Sequence, residues 1–267
     1  MAKIIYTKSN DEAINKHVVQ NRIYKWLFSG GAFDSSSIIL LAGKYPEACV
    51  LRANKYIKGM GTIYLYEKNL ELYYFIKTKI LDNLTKKIKR SQYISLKGKN
   101  VRGAPNTRVQ DLDFCSTWFA ERYRATLNNK KSDDVITIIQ DRLHLQKQNI
   151  DDNKWRCMIG TISTRNGIGK SHTIKCLNSL CYQLGWAINS VDSIKFGSNK
   201  GYGKGNKINE GGTIHGNGYT YYPYEHKILL TPLSQYINDF KDVRIKAFTY
   251  TDTQPMFTFA ITYRRKK

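Results

Sequence analysis

No run of about 18 apolar residues occurs anywhere in the chain, so the sequence offers no helix that would span a membrane. The opening MAKIIYTKSNDEAINKH has no long apolar core. A secretory leader is therefore not expected, and the chain reads as cytoplasmic (host cytoplasm, should it be viral). Cysteine is sparse: the five residues Cys49, Cys115, Cys157, Cys176 and Cys181 form no CxxC pair and are odd in number. Cys176 and Cys181 lie in a helix-like stretch with no matching histidine pair. Reduced thiols are expected, rather than a disulfide framework or a zinc centre. The five histidines are scattered, which supports neither a histidine-based nucleophile nor a metal site. Acidic residues are few.

That last shortage sets the partner class. Lys and Arg number 43 against 21 Asp and Glu, a formal charge of +22. An excess of this size repels itself in the folded state and is expected to meet a polyanion. Nucleic acid, bound through phosphate contacts and counterion release, is the expected partner, DNA or RNA being left open.

The 267 residues suit one large domain. Hydrophobic patterning places short strands at IILLAG (38–43), GTIYLYEKN (61–69) and WRCMIGTIS (155–163), and a strand end at VQDLDFCSTW (109–118). Helices are expected over 48–58, 70–90, 118–149 and 170–185. VRIKAFTY (243–250) and MFTFAITY (256–263), joined by TDTQP, read as a hairpin. Strands alternating with helices argue an α/β class with a mostly parallel sheet, the hairpin closing it at an edge. Residues 1–267 then form a single domain with a Gly-rich basic insertion at about 195–222.

Two motifs invite a phosphate. SGGAFDSSS (29–37) resembles the SGGxDS pyrophosphate loop of ATP pyrophosphatases, with one extra residue between Gly31 and Asp34; otherwise it is a polar turn capping a helix. TRNGIGKS (164–171) ends as GxxxxGK[ST] does, but Thr164 stands at the first glycine.

A third pattern is spread along the chain. Leu41-Ala42-Gly43 turns away from the first strand, with Glu47 just beyond. Glu67 ends the second strand, and Asp111-Leu112-Asp113-Phe114 ends a later one. Ligands of open α/β sheets bind outside the carboxyl ends of the strands, and an acid after strand two can accept from ribose hydroxyls.

This order resembles the Rossmann-like S-adenosylmethionine-dependent methyltransferases over roughly residues 36–263. The lysine- and asparagine-rich character looks like that of a divergent, virus- or phage-encoded member. The resemblance implies S-adenosyl-L-methionine as cofactor, held by Leu41, Gly43, Glu47 and Glu67. DLDF would stand at the D/N-P-P-Y/F position of the amino-methylating branch. There Asp111 would accept from a target amine, Asp113 would add a carboxylate, and Phe114 would stack on the base, with Trp118 as a second aromatic candidate. The implied activity is methyl transfer to an exocyclic base amine of a nucleic acid. The first loop lacks GxGxG, and Leu112 and Asp113 replace both prolines. Arg165 and Lys170, with Lys200, Lys204 and Lys207 of the Gly-rich insertion, are the expected nucleic-acid contacts. Two other readings remain at this point: a P-loop nucleotide hydrolase acting on nucleic acid, and a non-catalytic nucleic-acid-binding protein.

Overall fold

The computed structural model describes residues 14–43, 46–88, 94–98, 101–114, 116–118, 134–148, 153–164, 170–195, 213–214, 220–221, 223–234, 239–251 and 255–265. In chain order these form α1 (Ile14–Phe28), β1 (Ile38–Leu41), α2 (Pro46–Tyr56), β2 (Ile63–Tyr66), α3 (Leu70–Phe75), a π turn (Ile76–Ile80), α4 (Leu81–Lys87) and β3 (Ile94–Lys97). A 3-10 turn (Val101–Gly103), β4 (Val109–Asp113), α5 (Val135–Gln148), β5 (Arg156–Ser163), α6 (Lys170–Tyr182) and β6 (Trp186–Lys195) follow. The chain continues with β7 (Thr213–Ile214), β8 (Thr220–Tyr221), β9 (Tyr224–Pro232), β10 (Phe240–Thr251) and β11 (Pro255–Arg265).

Nine strands form one sheet in the order β3-β2-β1-β4-β5-β11-β10-β9-β6. The first five are parallel. Their order, 3-2-1-4-5, is that of a doubly wound, Rossmann-like sheet, and it reverses direction between β1 and β4. Short apolar strands such as Ile38–Leu41 suit this position because helices cover both faces. On one face α1, α2 and the α3–α4 helix bury Val19, Ile23, Leu27, Val50 and Leu84. On the other, α5 and α6 bury Ile139, Leu143, Leu177 and Leu180.

The remaining four strands are antiparallel neighbours. Here the expected arrangement is corrected. The β10–β11 hairpin does not close the sheet at its edge; β11 lies between β5 and β10, and β9 and β6 continue the sheet beyond. The cause is composition. Met256 to Tyr263 are buried without interruption, so β11 needs cover on both faces and both flanks. β6 carries Asn189, Ser190, Asp192 and Ser193 and is largely exposed, as an edge strand tolerates.

The chain direction also fixes which loops share an end. β6 and β9 pair from Trp186↔Pro232 to Lys195↔Tyr224. The segment between Lys195 and Tyr224, which is the Gly-rich insertion, therefore leaves the ribbon at the carboxyl edge of the parallel strands. The phosphate-loop reading of SGGAFDSSS does not survive this topology. Both it and the cap reading need a helix to follow, and instead the turn joins α1 to β1 at the opposite, amino edge.

Candidate active site

The carboxyl ends of β1, β2 and β4 meet on one side of the sheet. Ala42 N–H donates to the Tyr66 carbonyl at 3.0 Å, which closes β1 onto β2. Gly43 follows at φ +54°, a left-handed conformation that a side chain resists. A Cβ built there meets none of the described residues within 4 Å, which leaves the backbone at this turn open to close approach from them.

Glu67 follows β2, its N–H donating to the Lys97 carbonyl at 3.0 Å. Its carboxylate accepts from the Asn69 N–H at 2.7 Å, and the backbone amides of Lys68 and Gly43 are near enough to favour its charged form. The β2-end acid thus stands beside the turn that leaves β1. Burial pushes the pKa of this carboxyl up, and the neighbouring backbone amides offset part of that rise. Leu41 is half-buried against the α5–α6 face. Glu47, in the first turn of α2, pairs with Lys87 of α4 at 2.5 Å. It is thereby directed to a neighbouring helix.

The two β4 carboxylates have different surroundings. Asp111 is mid-strand, pairing in register with Leu40 and Ile159, and is only 3% exposed. Tyr24 of α1 donates to its Oδ2 at 2.6 Å. Desolvation, reinforced by Asp113, raises the Asp111 carboxyl to about 6, although the tyrosine bond works the other way. Asp113 is the last residue of β4 and pairs with Lys16 at 2.5 Å. Gln20 Nε2 stands 3.4 Å from the same oxygen. Both carboxylates face α1, as residues two apart on a strand must.

Behind them the network reaches α2. Arg52 is buried and donates to Gln20 Oε1 at 2.7 Å, to Asn21 Oδ1 at 3.0 Å and to His17 Nδ1 at 2.6 Å. A guanidinium only donates, so Nδ1 accepts and the ring proton sits on Nε2. Burial first, then Arg52 and Lys16, lower the His17 imidazole to about 4, so it is neutral at physiological pH. Sequence reading missed this whole cluster. Its signal was present in α1, where Val19, Ile23, Tyr24, Leu27 and Phe28 recur at helical spacing. Polar residues that are themselves buried interrupt the pattern.

Phe114 is half-buried against the α5–α6 face, and its N–H donates to Thr161 at 3.0 Å. Trp118, the alternative aromatic, is fully buried and stacks on Phe259 with ring centroids 5.9 Å apart. It belongs to the core and cannot hold an incoming base. TRNGIGKS joins β5 to α6, as a phosphate loop would, and Lys170 is the first residue of α6. Arg165 and the insertion lysines Lys200, Lys204 and Lys207 lie outside the described residues.

The chain matches no family model and no curated protein sequence. Solved structures align with it at low identity and low TM-score. TrmN from Thermus thermophilus is 6% identical at a TM-score of 0.43, with 98% of this chain and 53% of that chain covered. The N-methyltransferase NodS from Bradyrhizobium japonicum is 8% identical at 0.41, with 98% and 100% covered. NSun6 from Pyrococcus horikoshii is 11% identical at 0.43, with 94% and 52% covered. This chain therefore spans about half the length of the TrmN and NSun6 chains. The description of the sheet as Rossmann-like rests on its own strand order.

Proposed function

We propose that the chain transfers a methyl group from S-adenosylmethionine to a nucleic acid. One observation carries the reading: the Glu67 carboxylate after β2 stands beside the open Gly43 turn after β1, next to the point where strand order reverses. A nucleoside needs a carboxylate for its ribose hydroxyls and a glycine turn that lets its tail approach the backbone. The residues present fit that requirement. No described residue fills the space where a Gly43 side chain would stand, and Glu67 is only partly covered.

The cofactor supplies an electrophilic methyl on a sulfonium, which leaves without protein acid–base help. The chain's task is then alignment and exclusion of water. Asp113 and Phe114, at the end of β4, are the groups we assign to the acceptor. In the amino-methylating version, Asp113 receives the N–H of an exocyclic amine and stabilises the positive charge that develops on it. Phe114 offers a half-exposed ring for a base taken out of its stack. Asp111 is left a supporting role: it anchors α1 through Tyr24. The +22 charge, and an insertion with lysines Lys200, Lys204 and Lys207 that leaves the sheet at this same edge, suit a polyanionic substrate.

The test is transfer of labelled methyl from S-adenosylmethionine to single-stranded and duplex DNA and RNA, followed by mass spectrometry of the nucleosides. An N-methylated base lost in Asp113→Ala supports the assignment. An O-methylated sugar would retain methyl transfer but move the acceptor contact from Asp113 to its partner Lys16. A P-loop hydrolase reading draws on the β5–loop–α6 placement of TRNGIGKS. It predicts instead magnesium-dependent ATP hydrolysis that Lys170→Ala abolishes.

A further inference from the structure

The amino edge of the sheet, opposite the site just described, carries its own cationic and aromatic surface. Trp155 precedes β5 and is half-buried. The guanidinium of Arg264, near the end of β11, lies 5.0 Å from its ring centroid, and that of Arg244, in β10, lies 5.9 Å away. Arg108, just before β4, donates through Nε to the Trp155 carbonyl at 3.1 Å and lies 5.7 Å over the ring of Phe33. Its NH2 also donates to the Ala32 carbonyl at 2.6 Å. This gives SGGAFDSSS a structural place: its turn seats Arg108.

These contacts follow from strand register. Tyr263 pairs with Arg156 and Arg244 with Thr262, so the starts of β4, β5 and β10 and the end of β11 form one row. Lys154 and Arg244 are exposed there. Among the described residues, the carboxylates at this edge are Asp242, which accepts from Arg264 Nε at 2.5 Å, Asp239 just before β10, and Asp34 in the neighbouring turn. Stacking on an aromatic ring fixes a guanidinium plane while its remaining N–H groups still point outward, which is how arginine presents a fork to phosphate.

We propose that this amino-edge row around Trp155 is a second nucleic-acid-binding surface, gripping the phosphate backbone of the same strand or fold that reaches the carboxyl edge. β5 rises about 3.3 Å per residue, so its eight residues separate the two edges by about 23 Å. The surface would therefore contribute affinity without touching the reacting atoms. The inference does not depend on methyl transfer and stands if the substrate assignment of the first site fails.

The experiment is fluorescence anisotropy of a labelled single-stranded oligonucleotide over a series of KCl concentrations. Arg244→Glu and Lys154→Glu are compared with Lys79→Glu, an equal charge change on the exposed π turn between α3 and α4. The expected result is at least about a fivefold loss of affinity for each of the first two, a salt slope lower by about one, and little change for Lys79→Glu. Oligonucleotide should also alter tryptophan emission in the wild type and much less in Trp155→Phe. Equal losses in all three charge variants would reduce the effect to overall charge and overturn the proposal. No loss in any of them would overturn it as well. Binding to anionic vesicles but not to oligonucleotide would assign the row to a membrane surface instead.

Discussion

Tyr24 donates a hydrogen bond of 2.6 Å to Asp111, and so binds α1 to the middle of β4. The contact leaves Asp113, two residues later and paired with Lys16, as the β4 carboxylate nearest the carboxyl edge. Asp111→Ala and Asp113→Ala should therefore differ in kind. The first should lower stability by roughly 1–3 kcal/mol, through a tyrosine left without its acceptor and a small cavity. The second should chiefly impair transfer. Urea unfolding and single-turnover assays on the two variants separate these effects.

The same cluster sets a pH dependence with two opposing parts. Asp111 is raised from 3.8 to about 6 by desolvation, so its contribution is full below about pH 4 and is lost as pH rises through 6. By the usual conversion that loss is about 3 kcal/mol. His17 is lowered from 6.5 to about 4, so its contribution is full above pH 6.5 and is lost as pH falls through 4. Between those limits the two oppose each other in the wild type. Asp111→Asn should uncover the histidine, with stability rising from pH 4.5 to 6.5. His17→Gln should uncover the aspartate, with stability falling over the same range. Denaturant midpoints at four or five pH values measure both slopes, and parallel curves for the two variants would contradict the assignment.

A packing prediction concerns the strand beneath the site. A Cβ added to Gly160 of β5 would stand 2.5 Å from the Phe259 ring, which itself stacks on Trp118. The ring cannot retreat without disturbing that stack. Gly160→Ala should cost about 1–3 kcal/mol and lower the melting temperature by roughly 3–10 °C. Calorimetry checks it, and Phe259→Leu in the same chain should recover part of the loss.

Arg142 is a buried cation whose described partners are neutral. It donates to Gln110 Oε1 at 2.9 Å and to the carbonyls of Ala104 and Pro105 at 2.5 and 2.6 Å. Burial lowers its guanidinium to about 10, which leaves it charged at neutral pH. These bonds shape the backbone that leads into β4. Arg142→Met keeps the volume but strips the donors, and should cost roughly 2–4 kcal/mol. Chemical denaturation measures it, and a neutral result would show that water replaces the guanidinium.

The parallel half of the sheet was legible because its strands are short, apolar and punctuated by turns, as Ile38–Leu41 and Ile63–Tyr66 are. Glu67 and the β4 end were legible for the same reason, since an acid closing an apolar strand is conspicuous. β6 and β9 were missed, because WAINSVDSIK and YEHKILLTP carry the polar residues of an exposed ribbon and resemble loop. The inward position of β11 was hidden too: a hairpin pattern fixes which strands pair with each other, not which neighbour stands outside. The roles of Asp111 and Asp113 could not be separated in sequence. Only the partner helix, with Tyr24 opposite one and Lys16 opposite the other, distinguishes them.

The most direct measurement is a calorimetric titration with S-adenosylmethionine, run on the wild type and Glu67→Gln, with magnesium-ATP as the parallel ligand. The account predicts one site for S-adenosylmethionine and at least about a tenfold weakening in Glu67→Gln, which keeps the side chain's size but loses its charge. No binding heat with S-adenosylmethionine, together with magnesium-ATP binding that depends on Lys170, would contradict it.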